Sequence, residues 1–488
     1  MIVMIGLLSV FLFLFCACSL QGRLGDSTNG LDLPGLFKRH PQSSFNVVMR
    51  LLAILSVVIG CMTAHAGDER FGFATHFDQG WNPSTVMPLI TPTGAAYIRD
   101  DTAWSGLEWK AQGVYQFYSS KLAWLQAAHN NGLKVVGCVQ AGGPNATARY
   151  YSPSASWYPN PYDVQGFANA CAWLAVQTNT DGTPLLAAME ILNEPNNGFQ
   201  SYEKSIGRGS YWLQDLTTFT NAAYAAIKKA NPAMTVIGAG VQGDWIRQLI
   251  NYGITLDGIV FHPYDLGTNI PETTYEWQYR DYQQFITAIR SWTKLPLWTT
   301  EQNISNGDEF AEAVWIARRL LLAFGLKVEH NFIYDFMDSS AQGVIYPTLK
   351  PKLVYYVLRD RLIPSLAGLS SIGSVVTVTA HDANWDATDF KNFIFNAGGL
   401  NPVVAAVWFG NHNTTTGRPN PSVATLSFPG TGSHTSGQTT VLDLITGSST
   451  TVLEPGVPNP SNAPQWVSAT GPIANITVSD TPILIIVQ

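Results

Sequence analysis

The sequence predicts an α/β protein: a closed (β/α)8 TIM barrel followed by a C-terminal antiparallel β-sandwich. Three observations predict it. Eight short apolar runs alternate with helical periodicity between Phe71 and about Asp360. The runs are near-continuously apolar, as parallel strands buried on both faces must be. After about Ser370 the helical pattern stops, and short strand-like runs rich in Thr, Ser, Gly and Pro take over. Eight strand–helix units in about 290 residues favour closure into a barrel. An open doubly wound sheet is the alternative fold, but no glycine fingerprint follows the first strand.

The strand candidates, in order, are 71–76 (FGFATH), 95–99 (AAYIR), 133–139 (LKVVGCV), 185–192 (LLAAMEIL), 234–238 (MTVIG), 257–262 (DGIVFH), 296–300 (PLWTT) and 331–336 (NFIYDF). Helices fill the intervals. In 211–229, Trp212, Leu216, Phe219, Ala223 and Ile227 fall on one face. In 308–324, Phe310, Val314, Ala317, Leu321 and Phe324 do the same, and Ser305-x-x-Asp308 is the capping signal ahead of it. The sandwich strands are expected at 374–379, 402–409, 422–428, 440–445 and 481–487. Residues 67–370 therefore form the catalytic-type barrel and 371–488 the sandwich, in which Lys391 and Arg418 are the only basic residues.

Composition narrows the function. Of 488 residues, 46% are hydrophobic and 12% charged, against a typical ~25% charged. The chain can bury a large core and is no disordered or collagenous protein. With 27 Lys+Arg against 34 Asp+Glu, a formal −7, and no basic run to track phosphates, nucleic-acid binding is disfavoured. Aromatic residues make up 12% and serve both cores and the flat faces of sugars.

Residues 1–66 read as a leader. Residues 1–20 are almost wholly apolar, and a second apolar run at 51–62 is better formed. Met49-Arg50 gives a start and a positive charge, Leu51–Met62 an h-region and Ala64-His65-Ala66 a cleavage site. This reading starts translation at Met49 and cleaves after Ala66. A membrane anchor at 1–20 is one alternative. Val58–Cys61 also fits a lipoprotein box with a lipid anchor on Cys61, although only nine residues would then precede the first strand. In the preferred reading the product is secreted, periplasmic or held at the cell surface, with no membrane span in the mature chain. Without residues 1–66 it holds 23 Lys+Arg and 32 Asp+Glu, a formal −9. Cys138 reads as a strand residue and Cys171 as a helical one, two separate core thiols rather than a disulfide. No Cys/His spacing makes a zinc site, and neither a metal nor a cofactor is expected.

In such a barrel the chemistry lies at the C-terminal strand ends. The first strand ends in Thr75-His76 and the second in Arg99-Asp100-Asp101. The fourth ends in Asn193-Glu194-Pro195-Asn196, the sixth in His262-Pro263-Tyr264 and the seventh in Thr300-Glu301-Gln302-Asn303. A lone Glu after a strand is commonly a helix cap. Two facing each other across the barrel mouth, with Arg, His and Tyr on other strands, are what glycosidic bond cleavage requires: one carboxyl protonates the leaving oxygen, and the other attacks the anomeric carbon or activates water.

MEILNEPN (189–196) resembles the acid/base motif of clan A glycoside hydrolases, and LWTTEQ (297–302) is similar to the clan's nucleophile strand. YIRDDTAWSGLE (97–108) most resembles glycoside hydrolase family 39 and its relatives, with family 5 next. The resemblance spans about Phe71 to Asp360. It implies Glu194 as acid/base and Glu301 as nucleophile of a retaining double displacement. It also implies that Asn193 binds the sugar 2-hydroxyl, that Arg99 and Tyr264 orient Glu301, and that His262 completes an H-x-Y on strand six. A nucleophile held ionised by Arg and Tyr suits this, and the acid should have a raised pKa, partly from the charge of Glu301.

Glu190 reads as a buried structural carboxylate paired with a basic residue, and Asp100 and Asp101 as supports for Arg99. Trp104 and the loop at 150–162 (YYSPSASWYPNPY) are candidates for sugar stacking or for packing alone. His76 either lines the sugar subsite or fills the barrel mouth. The clan commonly ends strand eight in a Trp platform; FIYDFMDSS (332–340) departs from this and leaves Phe336 as the substitute. The expected partner is a glycan substrate, and the protein is expected to act as a monomer. A non-catalytic carbohydrate-binding or adhesion protein on the same barrel is the alternative, disfavoured because both carboxylates are present. A metal-dependent barrel hydrolase would need more His and Asp ligands than His76 and His262 supply.

Overall fold

In the computed structural model, eight parallel strands are hydrogen-bonded in sequence order into a closed barrel. The structure describes residues 67–487 except 141–162, 265–267, 275–280, 305–307, 339–341, 399–401, 413, 417–419, 428–438 and 469–470. The leader and the aromatic loop at 150–162 thus lie outside the described residues. The barrel strands are β1 (Asp68–Ala74), β2 (Ala95–Asp101), β3 (Lys134–Val139), β4 (Ala188–Ile191), β5 (Thr235–Gly238), β6 (Gly258–Phe261), β7 (Leu297–Thr299) and β8 (His330–Ile333). β8 returns to pair with β1, Gly72 opposite Phe332, and closes the ring.

All eight predicted strands are found, several of them shorter than the apolar run that announced them. β4 is four residues long because Leu185–Ala187 precede the ladder. β8 stops at Ile333, so Tyr334, Asp335 and Phe336 belong to the loop at the barrel mouth.

One main helix follows each strand: α1 (Pro83–Ile90), α2 (Ser119–Asn130), α3 (Val164–Leu174), α4 (Trp212–Ala230), α5 (Asp244–Asn251), α6 (Tyr282–Trp292), α7 (Glu309–Gly325) and α8 (Leu353–Val357). The periodicity of α4 was legible to within one residue. That of α7 was misleading. Its residues from Ala311 to Gly325 are all buried, Arg318 and Arg319 included, while Phe310, expected on the apolar face, is 46% exposed. The reason is tertiary, because the sandwich covers the side of α7 that an isolated barrel would expose. A Cβ at Gly325 would collide with the ring of Phe393, and Ser371 donates to the Gly325 carbonyl. The cap also differs from expectation: Asp308 is itself the N-cap, accepting from the Ala311 N–H at 2.9 Å.

The second layer pair consists of two antiparallel sheets. One has four strands in the order β10 (Thr377–His381), β13 (Ser422–Ser427), β17 (Ile473–Val478) and β16 (Gln465–Trp466). The other has six, ordered β15 (Ser449–Thr451), β14 (Thr440–Asp443), β18 (Ile483–Val487), β12 (Val403–Phe409), β11 (Phe390–Asn396) and β9 (Ser370–Gly373). The five predicted strands are all present. Among those missed, β11 (FKNFIFN) hides its apolar positions among Lys391, Asn392 and Asn396. Sandwich and barrel are joined by a buried knot in which Glu272 accepts from Arg318 Nε of α7 at 3.0 Å and from Trp408 Nε1 of β12 at 2.9 Å. Cys138 and Cys171 are free, buried thiols. Among the described residues no helix is long and apolar enough to cross a membrane.

Candidate active site

The site is the upper layer of the barrel interior. Strand side chains alternate faces, so residues two apart point the same way. The lower interior layer is apolar: Tyr97, Val136, Ala188, Ile237, Val260, Trp298 and Phe332 pack as one cluster. Two of its rings face glycines. A Cβ at Gly72 would lie 2.7 Å from Phe332, and one at Gly258 would lie 2.6 Å from Trp298. Two residues further along the same strands, the interior turns polar: Arg99, Cys138, Glu190, His262, Thr300 and Tyr334. Glu194 and Glu301 rise from the loops just beyond.

Arg99 is the hub. Its Nε and Nη2 donate to Glu190 Oε2 (2.5 Å) and Oε1 (3.0 Å), its Nη1 to Glu301 Oε1 (2.7 Å), and its Nη2 also to Asn193 Oδ1 (2.8 Å). Glu190 is wholly buried, as expected of a structural carboxylate with a basic partner. The other Glu301 oxygen, Oε2, accepts from the Tyr264 hydroxyl at 2.9 Å. Glu301 thus sits between a guanidinium and a phenol, both donors to a carboxylate. Burial, and then the Glu301 charge, push the Tyr264 hydroxyl far above its ordinary pKa, so it remains a donor.

Glu194 stands across from Glu301 and is the more open of the two, its side chain 33% exposed against 10%. The backbone that presents it is strained: Leu192 (φ 63°) and Glu194 (φ 41°) both occupy the left-handed region. Glu194 Oε1 lies 3.1 Å from His262 Nδ1, and Oε2 accepts from Asn197 Nδ2 at 2.8 Å. One oxygen of Glu194, one of Glu301 and a ring nitrogen of His262 all lie within 4.8 Å of one another.

The electrostatics depart from expectation. The hydrogen bond from His262 lowers the pKa of Glu194, outweighing the burial that raises it. Burial acts to lower the pKa of His262, but the Glu301 charge and the Glu194 hydrogen bond carry it above the usual value. The two shifts run in opposite directions across one contact, Glu194 Oε1 to His262 Nδ1. The raised pKa expected of the acid, partly from the charge of Glu301, is not found, because the group hydrogen-bonded to Glu194 is the imidazole of His262.

Other predicted positions separate into groups. His76 lies at the mouth, 3.4 Å from Asp335 Oδ2 and edge-on to Trp81 and Tyr334. Trp104 does not join the site. It is 1% exposed, packs on Phe167 and donates to Glu108 Oε2 at 2.5 Å, so it has no face left for a sugar. Asp100 and Asp101 do not support Arg99. Asp100 accepts from Thr75 Oγ1, Phe77 N and Asp101 N and ties β1 to β2, and Asp101 accepts from Gln140. Phe336 is fully buried against Phe73, so it is no platform; Tyr334, two residues earlier and partly exposed, is the aromatic that strand eight brings to the mouth. Sequence reasoning missed Tyr334 and gave no role to Thr300 or Asn197. The available signals were spacing: Thr300 and Tyr334 share interior parity with Trp298 and Phe332, and Asn197 lies one helical turn past Glu194.

Glu194, His262 and Glu301 are also the one group among the described residues with spacing for an ion. Each carboxylate oxygen of the group already accepts one hydrogen bond and keeps a second lone pair. Arg99 and Tyr264 take the two oxygens of Glu301, while Asn197 and His262 take those of Glu194.

No family model and no curated protein matches the chain. Solved structures share its architecture. One is a family 39 glycoside hydrolase from the gut symbiont Bacteroides cellulosilyticus WH2, 20% identical, with 87% of this chain and 82% of that one aligned at a TM-score of 0.62. A glucosidase from Croceicoccus marinus aligns over 86% and 97% at 12% identity, TM-score 0.53. A family 30 endoxylanase from Clostridium papyrosolvens C71 aligns over 88% and 98% at 14% identity, TM-score 0.53. At these identities the shared property is the fold: barrel and sandwich together, over most of each chain.

Proposed function

We propose that the protein is a retaining glycoside hydrolase acting on β-linked glycan. The observation that carries this is the carboxylate pair: Glu194 and Glu301 face each other with oxygens within 4.8 Å, Glu301 clamped by Arg99 and Tyr264. Retaining enzymes hold their carboxyl groups ~5–5.5 Å apart, whereas inverting ones leave ~6.5–9.5 Å for a water. The short separation supports retention.

In the first step a Glu301 oxygen bonds to the anomeric carbon as the glycosidic C–O bond breaks. The leaving oxygen takes the proton delivered through Glu194. In the second, Glu194 takes a proton from water, whose oxygen attacks the anomeric carbon and releases Glu301. Asn193 has its amide oxygen engaged by Arg99, so it offers its NH2 group to a sugar hydroxyl. Tyr334 and His76 are the described side chains best placed to border the sugar at the mouth. The leader-like segment ending at Ala66 supports action outside the cytoplasm, and the protein is proposed to work as a monomer.

The test is reducing-sugar release by the wild type and by Glu301→Ala from β-glucans, xylans, mannans, galactans and bacterial exopolysaccharides. NMR of the first-formed product reads its anomeric configuration. Release by the wild type alone, with retained configuration, is the expected result. Glycan binding without release by either protein would instead favour a carbohydrate-binding protein, and inverted configuration would overturn the double displacement.

A further inference from the structure

The polar layer contains a chain of hydrogen bonds that the double displacement does not use. It runs from Glu194 Oε1 to His262 Nδ1 (3.1 Å), from His262 Nε2 to Thr300 Oγ1 (2.9 Å), and from Thr300 Oγ1 to Glu190 Oε1 (3.2 Å). Thr300 and Glu190 are fully buried, and the His262 side chain is 5% exposed. Bulk water therefore does not replace these partners.

The direction of each bond follows from donor arithmetic. Glu190, ion-paired with Arg99 through both oxygens, can only accept. Thr300 has one hydroxyl hydrogen and spends it on Glu190. Its oxygen must then accept from His262, which requires a hydrogen on Nε2. The hydrogen-bearing nitrogen of a neutral imidazole is set by what the other partners demand. If His262 is neutral, its Nδ1 is consequently bare and points its lone pair at Glu194.

We infer that Thr300, backed by Glu190, locks His262 in its Nε2–H form and so keeps the proton used by the acid/base within the Glu194–His262 pair. Two arrangements hold that proton: imidazolium against carboxylate, or neutral imidazole against a protonated Glu194. Losing it leaves a lone pair facing a carboxylate, an unfavourable contact, so the pair retains its proton to higher pH. Without the Thr300 hydroxyl the imidazole is free to shed the Nε2 hydrogen instead. Nδ1–H would then bond an ionised Glu194, and the proton would leave at lower pH. Thr300 and Glu190 are thus positioning residues that set the alkaline limit of the acid step.

The groups facing His262 from all sides favour this retention. Glu194 approaches from the β4 loop, Glu301 Oε2 lies 3.8 Å from Nδ1 beyond β7, and Glu190 stands behind Thr300. Against these three carboxylates stands, among the described residues, the one guanidinium of the layer, Arg99 of β2, which lies in contact with Glu190 and Glu301. Tyr264, on the imidazole's own strand extension, is an uncharged donor committed to Glu301. The His262 shift above its ordinary value agrees with this balance.

The kinetic consequence rests on the glycosidase reading, whereas the tautomer does not, so two measurements separate them. The first is 15N NMR of the imidazole nitrogens in the full chain across the titration, with His262→Asn to assign the resonance. His262 of the wild type should lose its Nδ1 hydrogen and keep Nε2–H. In Thr300→Val the deprotonated ring should become Nδ1–H, and Thr300→Ser should restore Nε2–H. The second is the pH profile of kcat/KM on a hydrolysed glycoside. Its alkaline limb should move down by about one pH unit in Thr300→Val, the scale of one hydrogen bond to a charged group, and return in Thr300→Ser.

An Nδ1–H form in the wild type would overturn the inference without any variant having to fold. So would Thr300→Val with an unchanged tautomer, or a changed tautomer with an unmoved alkaline limb. No turnover of any glycoside, together with the expected tautomers, would remove the glycosidase reading while leaving the proton lock in place.

Discussion

His330 and His262 belong to strands of one barrel, the first opening β8 and the second just past the end of β6, and the barrel shifts them in opposite directions. Burial pushes His330 down to about 4, where it stacks on Trp298 with ring centroids 3.6 Å apart. His262 is buried more deeply still but is carried above its ordinary value by Glu301 and Glu194. The difference lies in which end of the strands each occupies. At the lower end the ring packs against an apolar plug, and burial outweighs the Glu69 carbonyl and the charges of Glu329 and Glu69, which act the other way. At the upper end the same eight strands supply three carboxylates and one guanidinium, and a second positive charge is welcome there. The lower layer therefore carries stability and the upper layer carries chemistry.

That division is sharpest for the two carboxylates beyond the strand ends. Glu301→Ala removes the attacking atom itself, and hydrolysis of every glycoside should fall by roughly 10^4-fold or more, as when one member of a catalytic unit is deleted. Initial rates on natural glycan and on aryl glycosides measure this. Substantial residual turnover of either would contradict the nucleophile assignment. The fold should be unharmed, because Arg99 keeps its pairing with Glu190.

Glu194→Ala should cost about 10²- to 10⁴-fold on natural glycan, the range of a general acid. The first step on aryl glycosides with good leaving groups should be spared, since these need little protonation. A burst of released phenol followed by slow turnover is the expected trace. Equal losses for both variants on activated substrates would break the distinction between acid/base and nucleophile.

Much of this upper layer was legible in the sequence, and the misses share a cause. Strand parity and the motifs of β4 and β7 brought out Arg99, Glu194, His262, Tyr264 and Glu301, because each is tied to a strand end and strands repeat every two residues. Residues in the connecting segments have no such period. Trp104, in a short helical turn after β2, reads as a platform from its context, yet it is drawn into the core between Phe167 and Gly166. Phe336 and Tyr334 share parity, so only the turn of the chain after Ile333 decides which reaches the mouth. The depressed pKa of Glu194 was hidden for another reason. It depends on which neighbour lies nearest, His262 or Glu301, and that is a distance rather than a pattern. The all-round burial of α7 depends on a domain that begins more than forty residues later in the chain.

The lower layer should respond to substitution in stability alone. Trp298→Ala empties the space kept open by Gly258 and removes the partner stacked on His330. It should cost about 3–5 kcal/mol, the range for truncating a large buried aromatic. Thermal denaturation should register the loss, while kcat well below the transition stays near the wild-type value. A large fall in kcat in a folded Trp298→Ala protein would mean that the two layers are coupled, for instance through Thr300 two residues further on.

The smallest expected effect isolates His330. An unfolded chain protonates this ring near pH 6.5, whereas the native one does so only near 4. Between these values the unfolded state binds the extra proton, so native stability falls as pH drops from about 6.5 to about 4 and is unaffected by this residue above that window. The full shift corresponds to roughly 3–4 kcal/mol. His330→Gln keeps a donor for the Glu69 carbonyl, which now lies 2.8 Å from His330 Nδ1, but it cannot take up a proton. Urea denaturation at pH 4.5 and 7 should therefore show a smaller difference for the variant than for the wild type, whatever its absolute stability. An identical difference would mean that His330 is protonated in the native plug, and the contrast between the two ends of the barrel would then lose one of its two histidines.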